Sequence, residues 1–147
     1  MTTSADLSPE TAVLDCLERW AAAVRAKDVE AIVAHYTPDI VAFDAILQLQ
    51  FKGLEAYRRH WDACMALCAG PMAFQIHEEV IHVDGNVAFC HGLIECGGAN
   101  ERGEIDTGWL RATIGLRRIE GEWRIVHEHH SAPFDMTSRQ ALLDLTP

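Results

Sequence analysis

Apolar residues along this chain change their spacing once, close to residue 72. Before that point they recur every three or four positions, which places them on one face of an amphipathic helix. The clearest such stripe consists of Val13, Cys16, Leu17, Trp20 and Val24. From Met72 onwards apolar and polar residues alternate, and a period of two is typical of β-strands. The sequence therefore predicts helices in its first half and a sheet in its second half.

Three helices and two short strands are predicted before residue 72. Ser8-Pro9-Glu10 starts the first helix, because serine can cap it and proline suits the first helical position. Asp28 can cap the second helix, and Gly53 breaks the chain before the third. The expected helices cover about 9–26, 28–36 and 54–69, and the expected short strands lie near 40–43 and 48–51.

Four long strands are predicted in the second half. Asp84-Gly85 and Glu120-Gly121 have the composition of tight hairpin turns, so neighbouring strands should be antiparallel. The strands cover about 72–83, 86–97, 104–119 and 122–131. We therefore expect an α+β fold, in which a cone-shaped, curved antiparallel sheet wraps around an N-terminal helical layer and encloses a pocket.

A single domain is expected to span residues 1–147, since this length is ordinary for one hydrophobic core. The core is expected at about 9–133 and a tail at 134–147. The tail is expected either to add a short helix near 138–145 or to be loose.

The last predicted strand carries polar side chains on both faces. Strict alternation places Trp123, Ile125, His127 and His129 on one face, and Arg124, Val126, Glu128 and His130 on the other. Buried polar groups need hydrogen-bond partners. This strand therefore indicates a pocket or a subunit interface.

The formal net charge of −10 argues against nucleic acid and anionic membrane surfaces as partners. No apolar run approaches the ~20 residues of a membrane span, and the N-terminus lacks the features of a signal peptide. Five cysteines without a C-x-x-C pair favour reduced thiols and a cytoplasmic location. No cofactor is expected, because the chain has neither a glycine-rich phosphate loop nor a dinucleotide fingerprint.

Five segments carry a resemblance to a known superfamily. They are Lys27–Val33, Tyr36–Asp39, Val41–Asp44, Gly53–Arg58 and Trp123–Pro133. Together they resemble the nuclear transport factor 2 superfamily over roughly residues 10–133. Its members include ketosteroid isomerases, SnoaL-like polyketide cyclases, scytalone dehydratase and the association domain of calmodulin-dependent kinase. The resemblance implies the cone fold, and this fold hosts enzymes and binding modules alike.

The ketosteroid isomerases imply a role for one aspartate. Asp44 falls where those enzymes have their proton-shuttling aspartate. Their two oxyanion donors fall on Trp20 and Ile114. Compared with ketosteroid isomerases, this chain keeps the base and has other residues in place of both oxyanion donors. The Trp20 indole N–H can still donate one hydrogen bond.

The kinase association domain implies a polar pocket. Its pocket arginines fall on His91, Ile114 and His130, and a pocket histidine falls on Tyr57. The same comparison implies that Glu128 and His130 face the inside of the cone. His127 and His129 would then lie on the outer face of the sheet.

Asp44, His91 and His130 are the candidate catalytic residues. A partly desolvated Asp44 would have a raised pKa suited to proton transfer, and imidazoles exchange protons near neutral pH. The remaining pocket candidates are Trp20, Tyr57, Trp61, Ile114 and Glu128. The alternative is that Asp44 only ends its strand, while the polar residues form a layer that shapes the cavity without chemistry.

The outer sheet face is expected to form a homodimer. Its candidate interface residues are Trp109, Arg111, His127 and His129. The spacing of His127 and His129 also occurs in metal sites on strands. No third ligand at a diagnostic spacing accompanies this pair, so no metal is expected.

Two functions remain open from the sequence. The first is a cofactor-independent enzyme of isomerase, cyclase or dehydratase type, which uses an aspartate/histidine proton shuttle on a small organic molecule. The second is a non-catalytic ligand-binding or oligomerisation module that captures a small carboxylate. The retained Asp44 favours the enzyme, and the changed oxyanion donors favour the module.

Overall fold

The computed structural model describes residues 7–147, which form a helical layer against a curved, unclosed sheet. The helices are α1 (Pro9–Arg25), α2 (Val29–Val33) and α3 (Leu54–Leu67). The strands are β1 (Tyr36–Phe43), β2 (Phe51–Lys52), β3 (Met72–Asp84), β4 (Val87–Ala99), β5 (Ile105–Ile119) and β6 (Glu122–Ser131). The predicted α+β fold is therefore confirmed.

Side-chain caps start the first two helices where the sequence predicts them. Ser8 Oγ accepts a hydrogen bond of 3.2 Å from the Thr11 N–H, and Asp28 Oδ1 accepts one of 3.1 Å from the Ala31 N–H. These bonds satisfy backbone donors that a helix start leaves unpaired. Within residues 7–147, no helix is long and apolar enough to cross a membrane.

The sheet order is β2-β1-β6-β5-β4-β3, and β3 to β6 form the predicted antiparallel meander. β1 departs from the antiparallel expectation because it runs parallel to β6, with Phe43 opposite His129. The end of β1 therefore lies beside the carboxyl half of β6. This placement brings Asp44, the residue after β1, next to the polar end of β6.

One of the two predicted hairpin turns is confirmed, and the other lies one residue later. Glu120 and Gly121 have φ values of 52° and 82°, which suit a two-residue turn with both residues at positive φ. In the other hairpin Asp84 still pairs with Val87, so the turn residues are Gly85 and Asn86. The pairing of Asp84 extends β3 by one residue beyond the predicted end.

A β-bulge in β6 changes which of its residues face inward. Leu116 pairs with Ile125 and the adjacent Gly115 pairs with His127, so Val126 is an extra residue. The buried residues are Trp123 and Ile125 before the bulge, and Glu128 and His130 after it. Strict alternation, which placed these two pairs on opposite faces, is therefore wrong, because a bulge reverses the phase of a strand.

The core lies between α1 and the inward face of the sheet. Leu17 and Trp20 of α1 are 0% exposed, and so are Ile94 of β4 and Leu116 of β5. All belong to one continuous apolar cluster. The stripe predicted for α1 and the alternation predicted for β5 therefore describe the two sides of this core.

The tail contains no helix near 138–145, so the helical alternative for the tail is wrong. Asp135 accepts bonds from the backbone of Thr137 and Ser138 in a turn, and Phe134 forms a bridge with Ala141. The Trp109 N–H then donates a 3.1 Å bond to the carbonyl of Leu143. The tail is extended because it continues the edge of β5 beyond the end of β6.

Gly97→Ala is expected to destabilise the fold, because a Cβ there would overlap the carbonyl oxygen of Asp106 on β5. Urea unfolding should show a loss of about 2 kcal/mol. Gly115→Ala is the matched control, since its Cβ would lie at an ordinary distance of 3.6 Å from the Cβ of His127. Equal stabilities for the two variants would contradict this account of the β4–β5 contact.

Candidate active site

Four titratable side chains meet where β1, α3 and β6 come together. Asp44 follows β1, His60 lies on α3, and Glu128 and His130 lie two residues apart on the inward side of β6. His130 Nδ1 is 4.0 Å from Asp44 Oδ2, and His130 Nε2 is 3.7 Å from Glu128 Oε2. These residues form a continuous buried polar chain, which we call the acid–imidazole chain.

Asp44 and His60 form the closest ion pair of this chain. His60 Nε2 lies 3.1 Å from Asp44 Oδ2, and the side chains are 2% and 9% exposed respectively. The other oxygen of Asp44 accepts a 3.1 Å bond from the Ile46 N–H. Both carboxylate oxygens are therefore bonded to donors, which favours the charged form.

The expectation of a raised Asp44 pKa is wrong. Burial raises the pKa of Asp44, but the His60 hydrogen bond, the nearby His130 and the Ile46 N–H together lower it below its usual value. Burial lowers the pKa of His60, but Asp44 and the Cys64 thiol outweigh burial and raise it to about 9. The pair is therefore an aspartate next to an imidazolium at neutral pH.

Sequence reasoning missed His60. It is 5% exposed, its ring centroid lies 4.1 Å from that of Phe51, and it stacks with Tyr57 at 5.9 Å. The available signal was its position on α3. Tyr57, His60, Trp61 and Cys64 follow one another at helical spacing, so His60 shares one face of α3 with two aromatic residues.

Glu128 is fully buried and anchors the other end of the acid–imidazole chain. The Tyr57 hydroxyl donates a 2.6 Å bond to Glu128 Oε2, whereas Oε1 has no hydrogen-bond partner. Burial raises the pKa of Glu128, against the opposing influence of His130 and of the Tyr57 and Tyr36 hydroxyls. Glu128 therefore takes up a proton more readily than an exposed glutamate does.

Two indoles fix the tyrosine beside this carboxyl group. Trp20 Nε1 and Trp61 Nε1 donate bonds of 2.9 and 3.2 Å to the Tyr36 hydroxyl. The Tyr36 and Tyr57 rings lie 5.3 Å apart, and burial raises the pKa of both phenols well above the usual value. Since the Trp20 N–H is already bonded to Tyr36, it is not available as an oxyanion donor.

A cavity of about 460 Å³ opens beside the acid–imidazole chain. Asp44, His60 and His130 lie in its wall, and most of the remaining wall is apolar. Its apolar wall includes Val24, Trp61, Met65, Phe74 and Leu110. Such a shape suits a small, largely apolar ligand with one polar group at the end next to Asp44.

The predicted pocket residues divide into two groups. Trp61 lines the cavity, whereas Trp20, Tyr57, Ile114 and Glu128 are buried behind its wall. A second cavity of about 500 Å³ lies between α1 and β3, and its polar lining includes Glu18, Arg25 and Glu79. We regard the cavity of about 460 Å³ as the candidate active site. Of these two cavities within residues 7–147, it is the one that Asp44, His60 and His130 line.

The expected inward position of His91 is wrong. His91 is exposed and pairs with Val80 and Thr113, which are also exposed. Its neighbour Cys90 is 1% exposed, so alternation along β4 directs His91 outward. The structure thus brings Asp44 and His130 together and leaves His91 on the other side of the sheet.

The predicted interface residues lie on or near the outer sheet face. His127 donates from Nδ1 to the Val41 carbonyl at 2.6 Å, and His129 packs edge-on against Phe43. Arg111 donates to the Ser131 hydroxyl at 3.1 Å, and the Trp109 ring lies 4.9 Å from that of His77. Across residues 7–147, no group of three or more potential ligands is arranged to hold a metal ion.

Comparisons with known proteins place this arrangement in a family context. The family model for the SnoaL-like domain matches residues 13–135. No curated protein matches the chain. A crystal structure of an NTF2-like protein of unknown function from Pseudomonas putida KT2440 is 47% identical, with a TM-score of 0.87 over 100% of this chain and 99% of that one.

Two more distant structures show the same fold. A ketosteroid isomerase-like protein from Erwinia carotovora atroseptica is 19% identical, with a TM-score of 0.70 over 83% of this chain and 94% of that one. A putative calcium/calmodulin-dependent protein kinase II association domain from Xanthomonas campestris is 16% identical, with a TM-score of 0.75 over 99% and 95%.

The raised pKa of His60 predicts a stability loss in mild alkali. Its folded value of about 9 exceeds the usual 6.5, so the stabilisation is fully present below 6.5 and is lost as the pH rises through 9. Urea unfolding between pH 6 and 10 should show a decline of roughly 3 kcal/mol from this group.

His60→Gln is expected to flatten that decline, because glutamine does not titrate. His82→Gln serves as the control, since His82 is exposed on β3 and lies outside the acid–imidazole chain. An unchanged pH slope in His60→Gln would show that Asp44 does not stabilise a charged imidazole.

Proposed function

The chain belongs to the SnoaL-like family with its NTF2-like fold, and on that basis we propose that it is a cofactor-independent enzyme that moves a proton on a small, neutral organic molecule. Isomerisation, cyclisation and dehydration all use such a step. The observation that carries the proposal is the Asp44–His60 pair in the wall of an otherwise apolar cavity.

The pair supplies a base and an acid side by side. The pKa of Asp44 is lowered and that of His60 is raised, and groups whose pKa values are pushed apart assign the two roles. Asp44 accepts a proton from a carbon next to a carbonyl group, and the imidazolium of His60 returns a proton to the product. The mostly apolar wall around the pair lowers the local dielectric constant and so strengthens its electrostatic interactions with a ligand.

The carbonyl oxygen needs a donor that differs from those of ketosteroid isomerases. Trp20 bonds Tyr36, and Ile114 is apolar. His130 is the replacement, since it lines the cavity and its Nδ1, on the side of Asp44, lies 4.0 Å from Asp44 Oδ2 and makes no hydrogen bond to it. A donor at this position stabilises the negative charge that develops on the oxygen.

The charge of the cavity favours a neutral ligand over a small carboxylate. Asp44 and Asp106 both line it, and the imidazolium of His60 is already paired with Asp44. A carboxylate would therefore meet two like charges, while the charge of His60 is already compensated by Asp44. The following experiment therefore distinguishes the proposed enzyme from the carboxylate-binding module.

Asp44→Asn is expected to abolish proton transfer, because an amide cannot accept the proton. The measurement is exchange of the α-protons of cyclohexanone in D₂O by NMR, with and without protein. Asp39→Asn is the matched control, since Asp39 lies on the same strand and is exposed. Asp44→Asn should also unfold at lower urea concentration, because it leaves the buried imidazolium unpaired.

Faster exchange of the α-protons in the presence of the Asp39→Asn variant, but not of the Asp44→Asn variant, would support the proposed enzyme. Equal rates in both variants would remove Asp44 from the mechanism. Tight binding of acetate or benzoate that persists in Asp44→Asn and is lost in His130→Ala would instead support the carboxylate-binding module.

We also propose that the outer sheet face joins two copies of the chain. Phe43 is 37% exposed and packs with His127 and His129 on this face, next to Arg111. An association domain is among the proteins of the same fold, which supports assembly through this type of domain. A two-fold contact would bury this mixed aromatic and polar patch.

Arg111→Glu is expected to weaken the dimer by placing like charges close together across a two-fold axis. Light scattering across micromolar concentrations should give twice the chain mass for the wild type and a lower average mass for Arg111→Glu. Arg102→Glu, in the exposed β4–β5 loop, makes the same charge change away from the patch and should leave the mass unchanged. A monomeric wild type would refute the proposed dimer.

A further inference from the structure

Three of the five cysteines lie in the wall of the cavity. They are Cys64 and Cys68 on or next to α3, and Cys96 on β4. The other two, Cys16 and Cys90, are about 1% exposed in the core. Burial raises the pKa of Cys16, Cys90 and Cys96 to about 11, which keeps these three thiols protonated and weakly nucleophilic.

Cys64 has a different neighbour from the other cavity thiols. Its sulfur lies 3.6 Å from His60 Nε2 and 4.0 Å from His60 Nδ1, one helical turn away on α3. His60 is the imidazolium that Asp44 holds in its charged form. The sulfur of Cys64 therefore lies beside the same ring nitrogen that contacts Asp44, in the wall of the cavity.

The same cavity contains an independent feature that points to a ligand. The side chain of His130 is 6% exposed and lines the cavity, and its Nδ1, on the side of Asp44, lies 4.0 Å from Asp44 Oδ2, which is too far for a hydrogen bond. A buried polar group of this kind is costly unless a ligand or water bonds it. A ligand oxygen at His130 and a ligand carbon at Cys64 would occupy one cavity.

We propose that Cys64 is a nucleophile that binds neutral α,β-unsaturated carbonyl compounds covalently. Such compounds carry a soft electrophilic carbon for the sulfur and an oxygen for His130. The proposal goes beyond the proton transfer described above, because it requires neither turnover nor Asp44 as a base.

The addition is balanced without an oxidant or a leaving group. The thiol proton passes to solvent, and the sulfur forms a bond to the β-carbon of the ligand. The electron pair of the carbon–carbon double bond moves to the carbonyl oxygen as an enolate, which His130 can stabilise by hydrogen bonding. The α-carbon then takes a proton from the His60 imidazolium, which regains one from solvent.

The experiment uses the folded, full-length protein and N-ethylmaleimide, a neutral α,β-unsaturated carbonyl compound. Intact-mass measurements at intervals give the labelling rate, and peptide mapping assigns the cysteine. Cys64 should be labelled about tenfold or more faster than Cys68, because only Cys64 contacts the imidazolium among the cavity thiols. Iodoacetate, an anionic reagent, should show a smaller preference because Asp44 and Asp106 repel it.

Matched variants separate reactivity from simple exposure. Cys64→Ser should remove the fast phase, whereas Cys68→Ser, one helical turn further along, should keep it. His60→Gln should slow the labelling of Cys64 by about tenfold, with circular dichroism confirming that the variant is folded.

The comparison within the wild type decides the question if His60→Gln does not fold. Labelling of Cys64 no faster than that of Cys68 would overturn the proposal. So would a Cys64 rate that His60→Gln leaves unchanged. Loss of α-proton exchange in Asp44→Asn tests the enzyme proposal separately, so the two can fail independently.

Discussion

The candidate site depends on one buried ion pair, Asp44 with His60. Removing two charges from water is costly, and the attraction offsets that cost only when the geometry is good and the remaining polar atoms are bonded. Both conditions hold here, since the pair spans 3.1 Å and the second Asp44 oxygen accepts the Ile46 N–H. The pair connects α3 to the end of β1, so a structural contact between helix and sheet is also the polar end of the cavity.

A second shell of aromatic residues keeps this polar end in place. The Trp20 and Trp61 indoles bond the Tyr36 hydroxyl, and Tyr57 bonds Glu128. These large rings fill the space behind the cavity wall while their polar atoms satisfy one another. Within this polar end, two buried atoms have no hydrogen-bond partner, Glu128 Oε1 and His130 Nε2. Thr37 Oγ1 and His77 Nε2 are further cases elsewhere in residues 7–147. Unsatisfied buried polar groups are expected near functional sites.

The SnoaL-like fold alone does not assign an activity, because the same cone carries enzymes and binding modules. The assignment has to come from charge and geometry. The cavity has a carboxylate, an imidazolium and the His130 ring at one end, and mostly apolar side chains elsewhere. That asymmetry orients a ligand with one polar group, and it places Cys64 beside the same imidazolium. The proposed proton transfer and the proposed thiol addition therefore depend on the same charged histidine.

The sequence alone determined the α+β order, the capped helices and most strand limits, because these follow from local spacing and local hydrogen bonds. It also grouped Asp44 with His130, and the fold places these two side chains 4.0 Å apart. Tertiary structure decided the rest. The bulge at Val126 set the inward face of β6, and alternation around Cys90 placed His91 outside. The sign of the Asp44 pKa shift depended on His60, sixteen positions away on a helix whose pairing with β1 no local pattern encodes. Burial can be inferred from a sequence, but the partner that compensates a buried charge is fixed only when distant elements pack together.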